Sequence, residues 1–295
     1  MKKRKGVILA GGKGSRLYPL TLAISKQLMP VHDKPMIYYP LTTLMLAGIR
    51  EFLIISNQSQ LGSFKNLLGD GSSLGINIDY ASQPRPEGIA QALIIAEEFL
   101  SGSNVALILG DNLFHGNQLI SKLENALQND YEASIFAYPV SNPSRYGVVE
   151  ISEEGLPISI QEKPPLPKSR YAITGLYFYE NSVVDKAKSL KPSDRGELEI
   201  TSINQIYLKE KKLNVQILGR GVAWLDTGTL DALAEASAYV RTLEKRQGLK
   251  IGSPEEVAWR NGWINNVELE KLGNSLIASD YGKYLLDLKN NYYFR

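Results

Sequence analysis

Cysteine is absent from this 295-residue sequence, and histidine occurs only twice, at His32 and His115. The chain therefore has no disulfide, no thiolate metal site and no cysteine nucleophile, and a histidine-based zinc site is not expected. Lysine and arginine (33 residues) nearly balance aspartate and glutamate (31 residues), which gives a formal net charge of +2. A chain so close to neutral gives no indication of general nucleic-acid binding by a basic surface.

Long apolar runs are also missing, and none approaches the roughly 20 residues that a membrane-spanning helix needs. The basic start, Met1-Lys-Lys-Arg-Lys5, is similar to the beginning of a signal peptide. The apolar run behind it, Val7 to Ala10, is too short for the hydrophobic part of such a peptide. We therefore expect a cytoplasmic protein without a membrane partner. Its hydrophobic content of 43% is ample for a sizeable core.

Short apolar runs alternate with helical patterns in the first half of the sequence. The predicted strands and helices include, in chain order, a strand at 7–10, a helix at 34–48, a strand at 52–56, a helix at 89–100 and a strand at 105–109. This alternation predicts an α/β fold with a doubly wound, mainly parallel sheet. From about residue 146 strands follow one another without long helices, which indicates a more antiparallel half. From Leu230 onward the pattern is almost wholly helical.

A glycine-rich turn with flanking cations follows the first predicted strand. Gly11, Gly12 and Gly14 let backbone N–H groups approach a ligand closely. The turn is not a Walker A loop, whose lysine precedes Ser or Thr, and it lacks the third glycine of the dinucleotide fingerprint. An ordinary tight turn is therefore the competing interpretation. The positive charges of Arg16 and Lys26 favour a polyphosphate site instead.

Carboxylates at the ends of two predicted strands are candidate metal ligands. Asp111 follows the strand at 105–109, and Asp226 lies in Trp224-Leu-Asp-Thr-Gly228. Mg²⁺ prefers one or two carboxylates together with substrate phosphates. The competing interpretation is that Asp111 caps the next helix, and the sequence by itself does not bring Asp111 and Asp226 together. For Glu162-Lys163, an exposed ion pair is the interpretation that these two residues alone favour.

Five motifs occur together and in order along the chain. They are Leu9–Pro19, Ser25–Pro30, Leu109–Asn112, Gln161–Pro164 and Trp224–Gly228. In these motifs the chain resembles the sugar-1-phosphate nucleotidylyltransferases. Four more segments narrow the resemblance to the glucose-1-phosphate thymidylyltransferases: Lys34–Pro40, Arg145–Glu150, Thr174–Tyr179 and Arg195–Thr201.

The resemblance implies the transfer of a thymidylyl group from dTTP to α-D-glucose 1-phosphate, giving dTDP-glucose and pyrophosphate. This is the first step of dTDP-L-rhamnose synthesis, which supplies polysaccharide biosynthesis. It also implies a Rossmann-like domain over residues 1–240, with a nucleotide-binding part at about 1–140 and a sugar-phosphate part at about 141–228. A helical C-terminal extension would follow at 241–295. Mg²⁺ is the implied cofactor, and a homotetramer inhibited by dTDP-L-rhamnose at an interface site is the implied assembly.

The resemblance also assigns roles to residues of this sequence. The implied nucleotide contacts are Leu9, Gly11, Gly12, Gly14, Ser15, Arg16, Lys26, Gln83, Gly88 and Asp111. The implied sugar-phosphate contacts are Tyr146, Gly147, Glu162, Lys163, Ile173, Tyr177 and Arg195. The implied catalytic residues are Arg16, Lys26, Lys163, Asp111 and Asp226, of which Asp111 and Asp226 would hold Mg²⁺.

Three alternatives remain open at this point. The first is the same reaction with UTP or another nucleoside triphosphate. The second is a non-catalytic, regulatory subunit that binds sugar nucleotides, although such a subunit should have lost Arg16, Lys26 or a metal carboxylate. The third is a dehydrogenase, which the failed dinucleotide fingerprint disfavours.

Overall fold

The computed structural model describes residues 3–290, in which strands and helices alternate as an α/β chain. The strands are β1 Arg4–Leu9, β2 Pro30–Val31, β3 Lys34–Pro35, β4 Glu51–Ser56, β5 Asn77–Ser82, β6 Asn104–Leu109, β7 Asn112–Gly116, β8 Ala133–Pro139, β9 Gly147–Ile151, β10 Pro157–Glu162, β11 Tyr171–Tyr179, β12 Leu213–Ile217 and β13 Val222–Asp226. The helices are α1 Tyr38–Leu46, α2 Leu61–Leu68, α3 Gln91–Ile95, α4 Glu97–Leu100, α5 Leu119–Gln128, α6 Val183–Ser189, α7 Ile200–Lys209, α8 Leu230–Gln247, α9 Pro254–Arg260, α10 Asn266–Ser275 and α11 Asp280–Asp287.

A nine-stranded sheet forms the centre of the molecule. Strand β1 pairs in parallel with β4 and β6, and β4 pairs in parallel with β5. Helices cover both faces, which explains why these strands read as continuous apolar runs. Neighbouring residues of β1 illustrate this arrangement. Ile8 packs in the core that contains Leu44 of α1, whereas Val7 packs on the opposite face in the core that contains Leu93 of α3.

The second half of the chain joins the same sheet with the opposite strand direction. Strand β11 pairs antiparallel with β6, β8 and β9, and β9 pairs antiparallel with β10. Strand β12 then returns parallel to β8. Strand β7 leaves the sheet and pairs antiparallel with β13. The predicted α/β fold, with a parallel core and an antiparallel half, is confirmed.

Two predicted helices have different bounds in the structure. The helix expected at 34–48 begins only at Tyr38, because Lys34-Pro35 pairs with Pro30-Val31 as a small hairpin. The helix expected at 89–100 is interrupted at Ala96 and forms α3 and α4. The hairpin lies against α8.

Helices α8 to α11 form the C-terminal region. The predicted division at residue 240 stays a prediction, and residue 240 itself lies inside α8. Residues 1–2 and 291–295, at the ends of the two predicted domains, lie outside the described residues. Within residues 3–290 no helix combines the length and the hydropathy needed to cross a membrane.

Candidate active site

The carboxyl ends of β1 and β6 meet at one edge of the sheet, and the glycine loop and Asp111 follow these strands. Neighbouring parallel strands end on the same side, which is where open α/β sheets bind ligands. The ammonium of Lys26 donates a hydrogen bond to the Asp111 carboxylate, and Nδ2 of Asn112 donates another over 2.9 Å. Burial acts to raise the pKa of Asp111, but the charge and hydrogen bond of Lys26 outweigh it and keep that pKa below its ordinary value.

Asp226 lies at the end of β13 and is brought to Asp111 by strand pairing. Strand register places Asp226 opposite Asn112, the residue after Asp111. Burial and, next, the negative charge of Asp111 raise the pKa of Asp226 from 3.8 to about 6, although Lys26 and Arg16 act in the opposite direction. The two carboxylates predicted as metal ligands therefore lie close enough to repel each other.

Two side chains fix this carboxylate pair to the surrounding strands. Oγ1 of Thr227 donates to the backbone carbonyl of Asp111 over 2.8 Å. Oδ1 of Asn112 accepts from Nε1 of Trp224 over 2.6 Å and from the backbone N–H of Gly175 over 3.1 Å. Asn112 thus ties β7 to β13 and β11 directly beside Asp111.

A cavity of about 230 Å³ opens next to the two carboxylates. It is lined by most of the residues predicted for sugar-phosphate binding and catalysis, namely Arg16, Asp111, Tyr146, Gly147, Glu162, Lys163, Ile173, Tyr177, Arg195 and Asp226. A larger open groove of about 1050 Å³ lies at the opposite, amino-terminal ends of the strands. Parallel sheets do not bind their ligands at that end, so the smaller cavity is the candidate site.

Several of the charged side chains that line this cavity are paired with one another. Glu162 accepts from Oγ1 of Thr201 over 2.5 Å and from Nη2 of Arg195 over 3.1 Å. The same Arg195 nitrogen donates to Glu199 over 2.8 Å. Lys163 has a positive φ of 40°, an uncommon value for a residue with a side chain, and its ammonium lies 3.6 Å from Glu162.

The remaining predicted nucleotide contacts lie outside the cavity. Leu9 ends β1, and Gly12 and Gly14 have positive φ values of 93° and 59°, as expected of a glycine loop. Ser15 begins a short 3₁₀ turn. A Cβ atom at Gly11 would clash with Oε1 of Gln83, so the side chain of Gln83 lies directly over the loop.

Gly88 connects the two groups of residues. A Cβ atom at Gly88 would clash with the backbone of Leu198, and the carbonyl of Glu87 accepts from the Leu198 N–H over 2.7 Å. The segment that carries Gln83 and Gly88 is therefore joined to the segment that carries Arg195.

The same loop and cavity region contains residues that sequence reasoning missed, namely Asn112, Glu199 and Thr201. Each of them lies within a motif segment that carried the resemblance, which was the signal available.

Residues 5–242 match the family model described as nucleotidyl transferase. The chain belongs to the nucleotidyl transferase family. A relative from Neisseria meningitidis named glucose-1-phosphate thymidylyltransferase is 56% identical over 284 residues, which cover 96% of this chain and 99% of the relative. A relative of the same name from Mycobacterium tuberculosis is 55% identical, with 96% and 98% of the two chains covered.

Solved structures show the same nucleotidyltransferase fold. A Bacillus anthracis protein, provisionally identified as a glucose-1-phosphate thymidylyltransferase and solved with sucrose, has a TM-score of 0.77 and 38% identity; the match covers 86% of this chain and 99% of that one. A UDP-glucose pyrophosphorylase solved with UDP-glucose has a TM-score of 0.72 at 24% identity, over 82% and 100% of the chains, and supports the fold alone.

Family membership confirms that the chain is an enzyme, a nucleotidyltransferase. Family membership excludes the dehydrogenase as an account of this chain, and the relatives over nearly its full length argue against the non-catalytic subunit. Nucleotidyltransferases generally use a divalent metal, and a sugar 1-phosphate and a nucleoside triphosphate are substrates consistent with the family.

Proposed function

We propose that this nucleotidyltransferase is a glucose-1-phosphate thymidylyltransferase, which makes dTDP-glucose and pyrophosphate from dTTP and α-D-glucose 1-phosphate. The observation that carries the proposal is a cavity lined by Asp111, Asp226, Arg16 and Lys163, with Lys26 paired to Asp111 beside it. The names of the two relatives at 56% and 55% identity support the choice of substrates. This reaction would be the first step of dTDP-L-rhamnose synthesis.

The donor set at the site fits Mg²⁺. Asp111 and Asp226 offer the hard carboxylate oxygens that Mg²⁺ prefers, and the raised pKa of Asp226 comes partly from the Asp111 charge. A divalent cation held between them would relieve that repulsion. When bound, Mg²⁺ would neutralise charge on the phosphate oxygens of the nucleotide.

No general base is needed for the proposed reaction. The second pKa of a phosphate monoester is about 6, so the sugar phosphate is already an anionic nucleophile at neutral pH. The difficulty is the approach of this anion to the α-phosphorus of a highly charged triphosphate. Catalysis then consists of positioning and charge neutralisation.

Three cations would neutralise different parts of this reaction. Lys26, beside Asp111, would act at the α-phosphate, and Arg16 at the departing pyrophosphate. Lys163, on the cavity wall, would hold the incoming sugar phosphate, with Arg195 near it. Direct in-line attack predicts inversion at phosphorus. Trapping of a covalent nucleotidyl-enzyme would contradict this mechanism.

The remaining binding roles follow the same division of the site. Gly11, Gly12, Gly14 and the loop around them would seat the triphosphate, and Gln83 and Gly88 would contact the base. The cavity side chains would contact the sugar: Tyr146, Gly147, Glu162, Ile173 and Tyr177.

The proposal is tested by product formation from glucose 1-phosphate with dTTP and with UTP side by side. We expect the larger kcat/KM with dTTP, and a large preference for UTP would contradict the substrate assignment. Asp111→Asn should lose turnover in the same assay. A thermal melt of this variant should still show the unfolding transition of a folded protein. Full activity in this variant would remove Asp111 from the metal site.

A homotetramer with end-product inhibition is a separate proposal that the family resemblance supports. Gel filtration with light scattering tests the assembly. Addition of dTDP-L-rhamnose to the dTTP assay tests the inhibition, and a monomer whose rate is unchanged would contradict both.

A further inference from the structure

Gln83, which the proposed function places at the nucleotide base, belongs to a chain of three polar side chains. It directly follows β5, its backbone N–H donates to the backbone carbonyl of Ser56 over 2.8 Å, and the residue is 3% exposed. Nε2 of Gln83 donates to Oε1 of Gln91 over 2.7 Å. Nε2 of Gln91 in turn donates to the Glu87 carboxylate over 2.7 Å. This series of hydrogen bonds therefore runs from the glycine loop to the Glu87 carboxylate.

The direction of these hydrogen bonds is fixed by groups that have only one role. An ionised carboxylate accepts only, so the Gln91 amide must turn its NH₂ group toward Glu87. The backbone N–H of Glu87 donates only, and it donates to Oε1 of Gln91 over 3.2 Å. Oε1 of Gln91 consequently faces Gln83 as an acceptor. Gln83 must therefore donate to this oxygen with its NH₂ group.

The carbonyl oxygen of Gln83 is left facing the glycine loop. Oε1 occupies the space where a Cβ of Gly11 would lie. Among residues 3–290 no donor hydrogen-bonds to this oxygen. A partly satisfied amide with a fixed orientation, directed at a ligand loop, can discriminate ligands by their donors and acceptors.

We propose that Gln91 and Glu87 are positioning residues that hold the Gln83 carbonyl toward the base and so select a pyrimidine with an N3–H donor. Thymine and uracil carry this donor, whereas N3 of cytosine is an acceptor and would face the carbonyl oxygen. This inference rests on the proposed function, in which Gln83 contacts the base. It extends that function, because it explains how this chain would reject dCTP.

The test compares dUTP with dCTP, because these nucleotides differ only in the groups at N3 and C4. Calorimetric titration of the wild-type protein with Mg²⁺ and each nucleotide should give at least about 30-fold tighter binding of dUTP. Gln91→Met keeps the length of the side chain but lets the Gln83 amide rotate. In this variant the ratio should fall to within about 5-fold.

A matched variant exchanges the side chains at positions 87 and 91. In Glu87→Gln/Gln91→Glu, the carboxylate at position 91 accepts from Gln83 and from the amide at position 87, so the orientation of Gln83 is retained. This double variant should keep the dUTP-to-dCTP ratio within about 3-fold of wild type. A further control is Glu98→Gln, a charge removal at an exposed site of α4, which should leave the ratio unchanged.

The outcomes separate this inference from the proposed function. The inference is wrong if wild type binds both nucleotides equally, if Gln91→Met keeps the wild-type ratio, or if the exchanged variant loses the ratio as Gln91→Met does. Because binding is measured without turnover, a failure to make dTDP-glucose from dTTP would count against the proposed function alone. A purely structural role for Gln91 would lower both affinities together and leave the ratio intact.

Discussion

Asp226 is a buried carboxylate beside that of Asp111, and this arrangement lowers the stability of the metal-free protein. Its folded-state pKa of about 6 lies above the ordinary 3.8, so the folded state resists ionisation of this group more than the unfolded state does. Stability is therefore lost as the pH rises from about 4 through 6, and not regained above that range. The proposed metal would reverse this loss.

Asp226→Asn should accordingly separate stability from function. In the presence of a chelator, the variant should melt at a higher temperature than wild type at pH 7.5, because the burial of a charged carboxylate and its repulsion by Asp111 are both removed. The difference should shrink as the pH falls through 6 toward 4, where the wild-type carboxyl is protonated. Turnover should be lost. An equal difference in melting temperature at both pH values would contradict this account.

Lys163, which we propose to hold the incoming sugar phosphate, has an unfavourable backbone conformation. Its φ of 40° is costly for any residue with a Cβ atom, by roughly 1–2 kcal/mol. Lys163→Gly and Lys163→Ala both remove the ammonium and should both raise KM for glucose 1-phosphate. The glycine variant should nevertheless be more stable than the alanine variant by about 1 kcal/mol in urea denaturation. Equal stability of the two variants would show that the conformation is not strained.

Helix α9 begins with residues that the sequence marks as a helix start, but the pKa of its Glu255 is set by the surrounding tertiary structure. It begins with Ser253 as cap, whose Oγ accepts from the Glu256 N–H over 3.4 Å, followed by Pro254 at the first position. These residues are typical of a helix start. Glu255, however, is buried, and Oη of Tyr281 donates to its carboxylate. Burial raises the pKa of Glu255 above its ordinary value of 4.5.

Glu255→Gln should therefore change the pH dependence of stability. A carboxyl with a raised folded pKa destabilises the folded state increasingly as the pH rises from 4.5 through that pKa. Relative to wild type, the variant should gain stability over this range and show no further change below pH 4.5. Urea denaturation at pH 4, 5.5 and 7 measures the trend, with exposed Glu98→Gln as control. A difference that is constant with pH would contradict the burial of an ionised Glu255.

At the scale of the whole molecule, a buried ion network joins the small β2–β3 hairpin to the C-terminal region. Nζ of Lys34 lies 2.9 Å from the Glu244 carboxylate of α8, and the two side chains are 2% and 4% exposed. Lys250 lies 2.8 Å from the same carboxylate and also pairs with Asp33. The residues that flank the hairpin are also paired, since the Met36 N–H donates to the Met29 carbonyl over 2.9 Å.

Lys34→Met should destabilise the protein by about 3 kcal/mol, because it leaves the buried Glu244 charge with Lys250 as its main partner. Lys34→Met/Glu244→Gln should cost clearly less than the sum of the two single variants, since the uncompensated charge is gone. Chemical denaturation of the four proteins measures this coupling. Strict additivity would mean that the pair contributes nothing as a pair.

Much of this protein was determined locally by its sequence. The apolar runs before Gly11 and Asp111 predicted buried strands, and their alternation with helices predicted the parallel core. Both predictions succeeded because the pattern of apolar residues along the sequence reflects which side chains are buried. The same motifs placed the glycine loop and Asp111 at strand ends. The resemblance of several motifs then identified the family and the candidate residues.

Only the tertiary structure decided how distant residues meet. The distance between Asp111 and Asp226 depends on the pairing of β7 with β13, and no local pattern encodes the register of strands so far apart in sequence. The hydrogen-bond direction through Gln91 to Gln83 likewise depends on a three-dimensional chain of donors and acceptors. The sequence supplied the chemical groups, and long-range packing determined which charges repel, which are compensated and which face the ligand.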